Sequence, residues 1–396
     1  MSAVLDKPQA VRPTKRLPIG VYLLAFSLFA MGSAEFLLAG VLPAVAGDLD
    51  VSLPAAGGLI TAFALGVVLG GPPFAVLSLR WPRRTALMVT QLVFAAAIAL
   101  GLFTGYGTLL ATRFIAGLAY AGFFAVAAVT AIGLVTPDRN ARASGVVVSG
   151  LSVAMVAGGP AGTLLSQFTD WRGGFWGVVV LTLAGTIACG LGLPATATRS
   201  APSVRREFAT MRKPRLWLVF AITILSTAAY MITFNYLAAI LADVTGIDEI
   251  WIPAVLALFG IGAFAGLSFG GRIADRRPHR ALLIGAIGIA ALSALLAGFA
   301  EHPGLVVPVV FALGIAAFVL NPALYGRVFG IAADAPTLAG ATTVSAFQLG
   351  ISLTPAFAAP AFTAGIPVTA VTWTGVGLAV VCVPLILLDR SQSTAK

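Results

Sequence analysis

The chain has 396 residues, 59% of them hydrophobic and only 10% charged, with a mean hydropathy of +1.01. A soluble domain carries about 25% charged residues, so too little polar surface exists here to cover a water-soluble globule, and the composition points to a polytopic membrane protein. The net charge of +10 does not point to nucleic acid, because the basic residues fall in short segments between apolar runs, as membrane topology requires. The 44 glycines and 23 prolines are tolerated in membrane helices, where small residues allow close packing. Cys189 and Cys382 sit far apart in apolar spans and offer neither a disulfide scaffold nor metal-ligand spacing.

The basic segment 1–17 leads into a full-length apolar span without a convincing cleavage site, so it is expected to be a cytoplasmic tail. A helix needs about 20 apolar residues to cross the hydrocarbon core. Cutting the chain at charges and turn residues gives twelve such runs, at 18–43, 53–78, 85–104, 107–134, 144–167 and 173–194, then 216–241, 251–270, 281–300, 304–325, 338–362 and 368–388. Alternate connections hold 22 of the 24 Lys and Arg residues; the opposite set has only Arg172, and Arg113 lies inside a span. By the positive-inside rule both termini are cytoplasmic.

The stretch 195–215 carries Ser, Thr, Pro and a run of basic residues. It reads as a cytoplasmic linker between six-helix halves at 18–194 and 216–388, with a tail at 389–396. A short amphipathic surface helix around Val204–Met211 would favour anionic lipid. The halves read as repeats: VLSLRWPRR (Val76–Arg84) follows the second run and GRIADRRPHR (Gly271–Arg280) the eighth, at an offset of 196 residues. Two similar bundles facing one another across a cavity form a transporter plan.

Within this apolar chain two charges are deeply placed. Glu35 lies about eight residues from the outer end of the first run, at a depth of roughly 12 Å. Arg113 lies six or seven residues into the fourth run, which enters from the same side. A buried carboxylate is costly unless a partner or a proton neutralises it, and so marks a functional site. If movement changes its distance from the guanidinium, the carboxylate can take or release a proton. One charge crossing the membrane is worth about 2.3 kcal/mol per 100 mV. The alternatives are a static pair aligning two helices, and a Glu35 that binds a cationic substrate directly.

GRIADRRPHR is similar to the loop signature G-x-L-A-D-R-x-G-R-R of the major facilitator superfamily, through Gly271, Asp275, Arg276 and Arg280. In the first copy Ala75 stands for the Gly and Leu79 for the Asp, and Arg80, Arg83 and Arg84 remain. LLATRFIAGLAYAG (Leu109–Gly122) resembles the fourth-helix signature with a buried Arg, and GGPAG (Gly158–Gly162) the core of the fifth-helix antiporter signature. WRGGFW (Trp171–Trp176) and GSAEFLLAGVLPAVAGDL (Gly32–Leu49) resemble the drug:proton antiporter branch, and FGIGAFAGLSFGGRIADRRP (Phe259–Pro278) is most like actinobacterial chloramphenicol-efflux proteins. The resemblance implies an all-α polytopic membrane protein with 12 transmembrane helices in two pseudo-symmetric bundles. It assigns Gly158, Gly159, Pro160 and Gly162 to antiport and leak prevention, although small-residue packing alone also explains them. Asp275 with the nearby arginines is expected to latch the cytoplasmic side in the outward-facing state; the alternative is a basic loop that sets topology.

The second half has no buried charge in its runs but offers Tyr230, Asn235, Tyr236, Asn321, Tyr325 and Gln348 among apolar residues. A few polar groups on an apolar wall suit a neutral or amphipathic drug. Tyr120, Asn235, Tyr236, Asn321 and Gln348 are the substrate-cavity candidates, with Asn235 and Gln348 foremost; singly, each also reads as an interhelical hydrogen bond.

Other classes fit less well. No phosphate-cradling G-x-x-x-x-G-K-[ST] loop is present. Gly260–Gly266 (GIGAFAG) lies inside an apolar run and reads as helix packing. His279 and His302 are both in predicted loops, so no Ser/His pair, metal cluster or paired carboxylates suggest an enzyme. No charge rings suggest a channel. The expectation is a monomeric, proton-coupled exporter of small amphipathic drugs, chloramphenicol foremost, in a bacterial cell membrane. It needs lipid, protons and a drug but no nucleic acid, metal or cofactor beyond the proton gradient. Sugars or nucleosides are the alternative cargo.

Overall fold

The structure is a computed structural model that describes residues 17–77, 81–136, 139–194, 210–333 and 336–394. Hydrocarbon offers no partner to a backbone N–H or C=O, so a spanning chain must satisfy these groups internally. The described residues accordingly form helices and no strand. These are α1 (Ile19–Asp48), α2 (Leu53–Leu77), α3 (Arg83–Leu102), α4 (Tyr106–Gly133) and α5 (Asn140–Val153), which passes through a π-helical turn (Ala154–Gly158) into α6 (Gly159–Phe168), then α7 (Trp171–Gly192). The second set is α8 (Pro214–Asn235), the short α9 (Leu237–Ala239), α10 (Ile252–Ala274), α11 (Pro278–Gly298), α12 (Pro303–Ile331), α13 (Pro336–Ser352), α14 (Thr354–Thr363) and α15 (Ala370–Thr394).

Among the described residues, 11 helical segments are long and apolar enough to cross a membrane. The remaining apolar run, 338–362 in the sequence reading, is divided between α13 and α14 at Leu353. Pro355 opens α14, lacks an N–H and disfavours helical geometry in the residue before it, which explains the break. Three runs end five or six residues later than expected. The first continues past Pro43 to Asp48, the tenth to Ile331 and the last to Thr394, so the expected tail 389–396 begins inside α15. Each had been cut at or before a charge that the helix in fact carries with a partner. The expected segment 1–17, all but Leu17, and the linker residues 195–209, with most of the Val204–Met211 helix, lie outside the described residues.

Glycine sets the closest packing. A Cβ on Gly66 would overlap the Phe114 carbonyl and one on Gly117 the Phe63 carbonyl, so α2 and α4 touch backbone to backbone. In α10 and α12, Gly262 meets the Phe311 carbonyl and Gly314 the Phe259 carbonyl in the same way. Gly262 and Gly314 lie 196 and 197 residues after Gly66 and Gly117, which makes the repeat a matter of matching helix crossings. Large apolar side chains such as Leu69, Leu100, Val180, Ile187, Ile284 and Val380 are exposed around the outside, as a lipid-facing surface requires.

The two sets of helices meet on the face opposite the basic loops. There Gln167 Nε2 donates to the Glu249 carbonyl, Thr61 Oγ1 donates to the Ser352 carbonyl at 2.8 Å, and Gly57 leaves room for the Tyr236 hydroxyl and for Pro355. At the basic-loop face Asp275, Arg276 and Arg280 are exposed, and among the described residues Asp275 has no ion pair. Arg83 donates to the Val129 carbonyl of α4 at 3.4 Å, within its own half, and Arg80 lies outside the described residues. Among the described residues the expected latch between halves is therefore not made in this conformation.

A different ionic cluster occupies that end of the second half. Asp389 of α15 is fully buried and accepts from Arg327 Nε at 2.9 Å and Nη2 at 2.6 Å. Arg215 Nε and His279 Nε2 lie 3.4 and 3.0 Å from the same carboxylate. One acid thus holds α8, α11, α12 and α15 together. Replacing Asp389 by Asn leaves the two arginines without a counter-charge and is expected to cost roughly 2 kcal/mol of stability, below the range for wholly buried pairs because the arginines reach water. Thermal unfolding in detergent measures this; an unchanged midpoint would contradict the cluster's role.

Candidate transport site

Glu35 sits 16 residues into the 30-residue α1, close to its middle. Its neighbours Gly32, Ser33 and Ala34 are small and buried, which brings the helix against α5 and α6 at this level. A Cβ on Gly158 would overlap the Ser33 hydroxyl, and one on Gly159 would lie 2.7 Å from Phe36 Cβ. One on Gly162 would lie 3.0 Å from Leu37 Cδ1. The π turn Ala154–Gly158 ends at this contact, followed by Pro160 at the start of α6. Across from it, a Cβ on Gly260 of α10 would lie 2.8 Å from Val156 Cα. The antiporter-like GGPAG segment therefore packs against the helix that carries Glu35, while the turn before it touches the second half. A π turn within an α-helix is a frequent mark of a functional site.

Arg113 is buried at the level of Ala34, whose carbonyl accepts from Nη1 at 3.4 Å. Its guanidinium carbon lies 4.9 Å from the centre of the Phe63 ring and 5.6 Å from that of Phe175, both cation–π contacts. Nε has no partner among the described residues. The two charges do come to the same depth, yet no ion pair joins Glu35 to Arg113 among the described residues. Glu35 Oε2 instead accepts from Gln348 Nε2 of α13, in the other half, at 3.5 Å.

Glu35 and Gln348 lie on the wall of a cavity of about 260 Å³ between the halves. Its lining includes Tyr120 and Phe124 of α4, Ser152 of α5, Met155 of the π turn, and Thr227, Tyr230 and Met231 of α8. Phe264 comes from α10, Phe318, Asn321 and Tyr325 from α12, and Phe347 from α13. The result is an aromatic and aliphatic chamber with scattered hydroxyls, two amides and, among the described residues, one carboxylate. Its lowest members, Val148, Leu267 and Tyr325, lie six to eight residues from the basic-loop ends of their helices, so the cavity extends toward that face.

Three of the five cavity candidates, Tyr120, Asn321 and Gln348, line this wall, and Asn235 and Tyr236 do not. Asn235 is buried between helices and its Nδ2 donates to Thr354 Oγ1 at 2.8 Å. Tyr236 packs its ring against Phe362, 5.4 Å between centres, at the closed face. Both stand at the end of α8, beyond the cavity's depth, where α8 gives way to the short α9. Sequence reasoning named Tyr120, Tyr230 and Tyr325 but missed the phenylalanines of the wall and Ser152, Met155 and Thr227. Helical spacing was the available signal: Tyr120 and Phe124, Asn321 and Tyr325, and Val344, Phe347, Gln348 and Ile351 each share one helix face.

Apolar spanning helices in two groups around a central chamber, with one acid at mid-depth, define a polytopic membrane transporter. The family model described as Major Facilitator Superfamily matches residues 24–355, and the chain belongs to that superfamily. A chloramphenicol resistance protein of Streptomyces lividans is 40% identical over 348 residues, covering 87% of this chain and 89% of the relative. A chloramphenicol efflux pump of Mycobacterium tuberculosis is 28% identical, covering 85% of this chain and 84% of the relative. The crystal structure of the nucleoside transporter NupG shares the fold, with a TM-score of 0.75 at 14% identity over 94% of this chain and 99% of that one. The chain is a bacterial multi-pass membrane transporter.

Replacing Asn235 by Leu removes the donor to Thr354 and is expected to cost about 1–2 kcal/mol of stability, while leaving the apparent affinity for a transported drug within about twofold. Thermal unfolding and transport assays read the two effects. A stable variant with a large loss of affinity would contradict the position of Asn235 outside the cavity.

Proposed function

We propose that this transporter exports small amphipathic drugs, chloramphenicol among them, in exchange for protons, with Glu35 as the proton-carrying group. The observation that carries this reading is the Glu35 carboxylate on the wall of an otherwise apolar and neutral-polar chamber. An acid there is costly while charged and becomes inexpensive once protonated, so it suits reversible proton binding. The phenylalanine, tyrosine and methionine walls suit an aromatic, uncharged cargo. The relatives' names, resistance protein and efflux pump, support both the cargo and its outward direction.

In this reading Arg113 acts on Glu35 through the field at mid-membrane rather than as a paired ion, since two phenyl rings and the Ala34 carbonyl hold it. The basic loops face the cytoplasm, twelve spans cross the membrane, and both termini are cytoplasmic, with halves at 18–194 and 216–388. The cavity would then approach the cytoplasmic side, as it must to load cargo for export. The transporter works as a monomer, powered by the proton gradient and without a cofactor. Exposed Asp275, Arg276 and Arg280, with Arg83 and Arg84, would close that side in the opposite conformation.

The test is uptake of labelled chloramphenicol into inverted membrane vesicles with an imposed pH gradient, for the wild type and Glu35→Gln. Gradient-driven accumulation by the wild type, lost in an inserted Glu35→Gln protein, is expected. Accumulation that survives the substitution would move coupling away from Glu35, and none in the wild type would overturn the cargo.

A further inference from the structure

We propose that Gln348 is the exchange point of the transport cycle: its side-chain oxygen accepts a hydrogen bond from the cargo when Glu35 is ionised and from Glu35 itself when Glu35 is protonated. The inference rests on the drug:proton reading of this cavity and specifies how cargo and proton exclude one another there.

The geometry requires little else. Gln348 is buried, 5% exposed, and stands on the half opposite Glu35. Its Nε2 donates to Glu35 Oε2 at 3.5 Å, a long contact that leaves both groups free to rearrange. Its Oε1 is buried and has no partner among the described residues. An ionised carboxylate only accepts hydrogen bonds, so it must face the amide N–H side and leave Oε1 to the rest of the cavity. A buried acceptor without a donor is costly, and an O–H or N–H on the cargo removes that cost.

Protonation inverts the demand. The carboxylic acid now has an O–H to donate, and the Gln348 amide lies across from it with an unpartnered acceptor. A half-turn of the amide gives Oε1 to Glu35 and presents the NH₂ group to the cargo. A cargo amide N–H, which can only donate, then meets a donor where it had met an acceptor. Proton and cargo therefore compete for one oxygen without touching one another. On loading, the proton leaves Glu35 through the cavity toward the basic-loop face; on release the acid regains it.

Other groups around Glu35 do not compete for this role. Arg113 from α4 acts on it electrostatically, and Tyr120 from α4, Tyr230 from α8 and Tyr325 from α12 share the cavity. Tyrosine and arginine ordinarily titrate at about pH 10 or above. The facing groups from α5, α10 and α13, among them Ser152, Phe264 and Gln348, are neutral. The inferred cargo is an uncharged aromatic molecule bearing an amide N–H.

The test is the affinity of the purified, lipid-embedded protein for chloramphenicol, followed across the range in which a carboxylate titrates. The wild type is expected to bind less tightly as pH falls. Gln348→Met, close in length but without either amide group, is expected to bind about tenfold more weakly at high pH and to show a flat profile. Glu35→Gln, whose N–H occupies Gln348 Oε1 at every pH, is expected to be weak and flat as well. A Gln348→Met protein that keeps the wild-type slope overturns the inference and leaves Glu35 as the proton carrier. Should Gln348→Met fail to insert, tight binding by Glu35→Gln at every pH overturns it equally. A wild type that does not bind chloramphenicol overturns the cargo reading, and this inference with it.

Discussion

A carboxylate at the middle of a membrane has few stable settings, and the arrangement around Glu35 follows from that constraint. No counter-ion pairs with it among the described residues, since the one buried arginine nearby is held between Phe63 and Phe175. What reaches the acid is a neutral amide from the opposite half of the molecule. The contact is weak enough to break and belongs to an interface that opens and closes in any alternating-access cycle. Small residues at Gly32, Ser33 and Ala34 let the antiporter-like segment of α6 press against the same turn of α1. A change at the acid can thereby be felt by the helix that also touches α10.

The buried charges of this chain are handled in two opposite ways. At Glu35 the partner is neutral, long-range and from the other half. At Asp389 two arginines and a histidine from the same half surround one acid, with contacts as short as 2.6 Å. The first arrangement leaves a proton free to come and go. The second fixes four helix ends in one geometry, and its strength depends on all members remaining in place. In the proposed mechanism the proton is carried by Glu35, while Asp389 fixes helix ends at a different depth.

Much of this was legible beforehand. Apolar runs located the helices because hydrocarbon demands both length and backbone closure, and the repeat offset of 196 residues reappears in the Gly66–Gly117 and Gly262–Gly314 crossings. Glu35 stood out because a charge in such a run is costly unless a partner or a proton neutralises it. What the sequence concealed was pairing across space. Arg327 and Asp389 looked like loop and tail charges because each ends an apolar run, and only folding brings them within hydrogen-bond distance. Asn235 looked like a cavity residue for the same reason that Gln348 did, an amide in an apolar span. Depth along the helix separates them: one meets Thr354 between helices, and the other meets Glu35 on the cavity wall.

The central claim is that cargo and proton occupy one site in turn. Its most direct test is proton release in weakly buffered solution when chloramphenicol is added to the purified wild-type protein, followed with a soluble pH indicator. The account predicts prompt acidification that saturates with the drug and is absent when Glu35 is replaced by Gln. Drug binding with no proton released at any starting pH would contradict it.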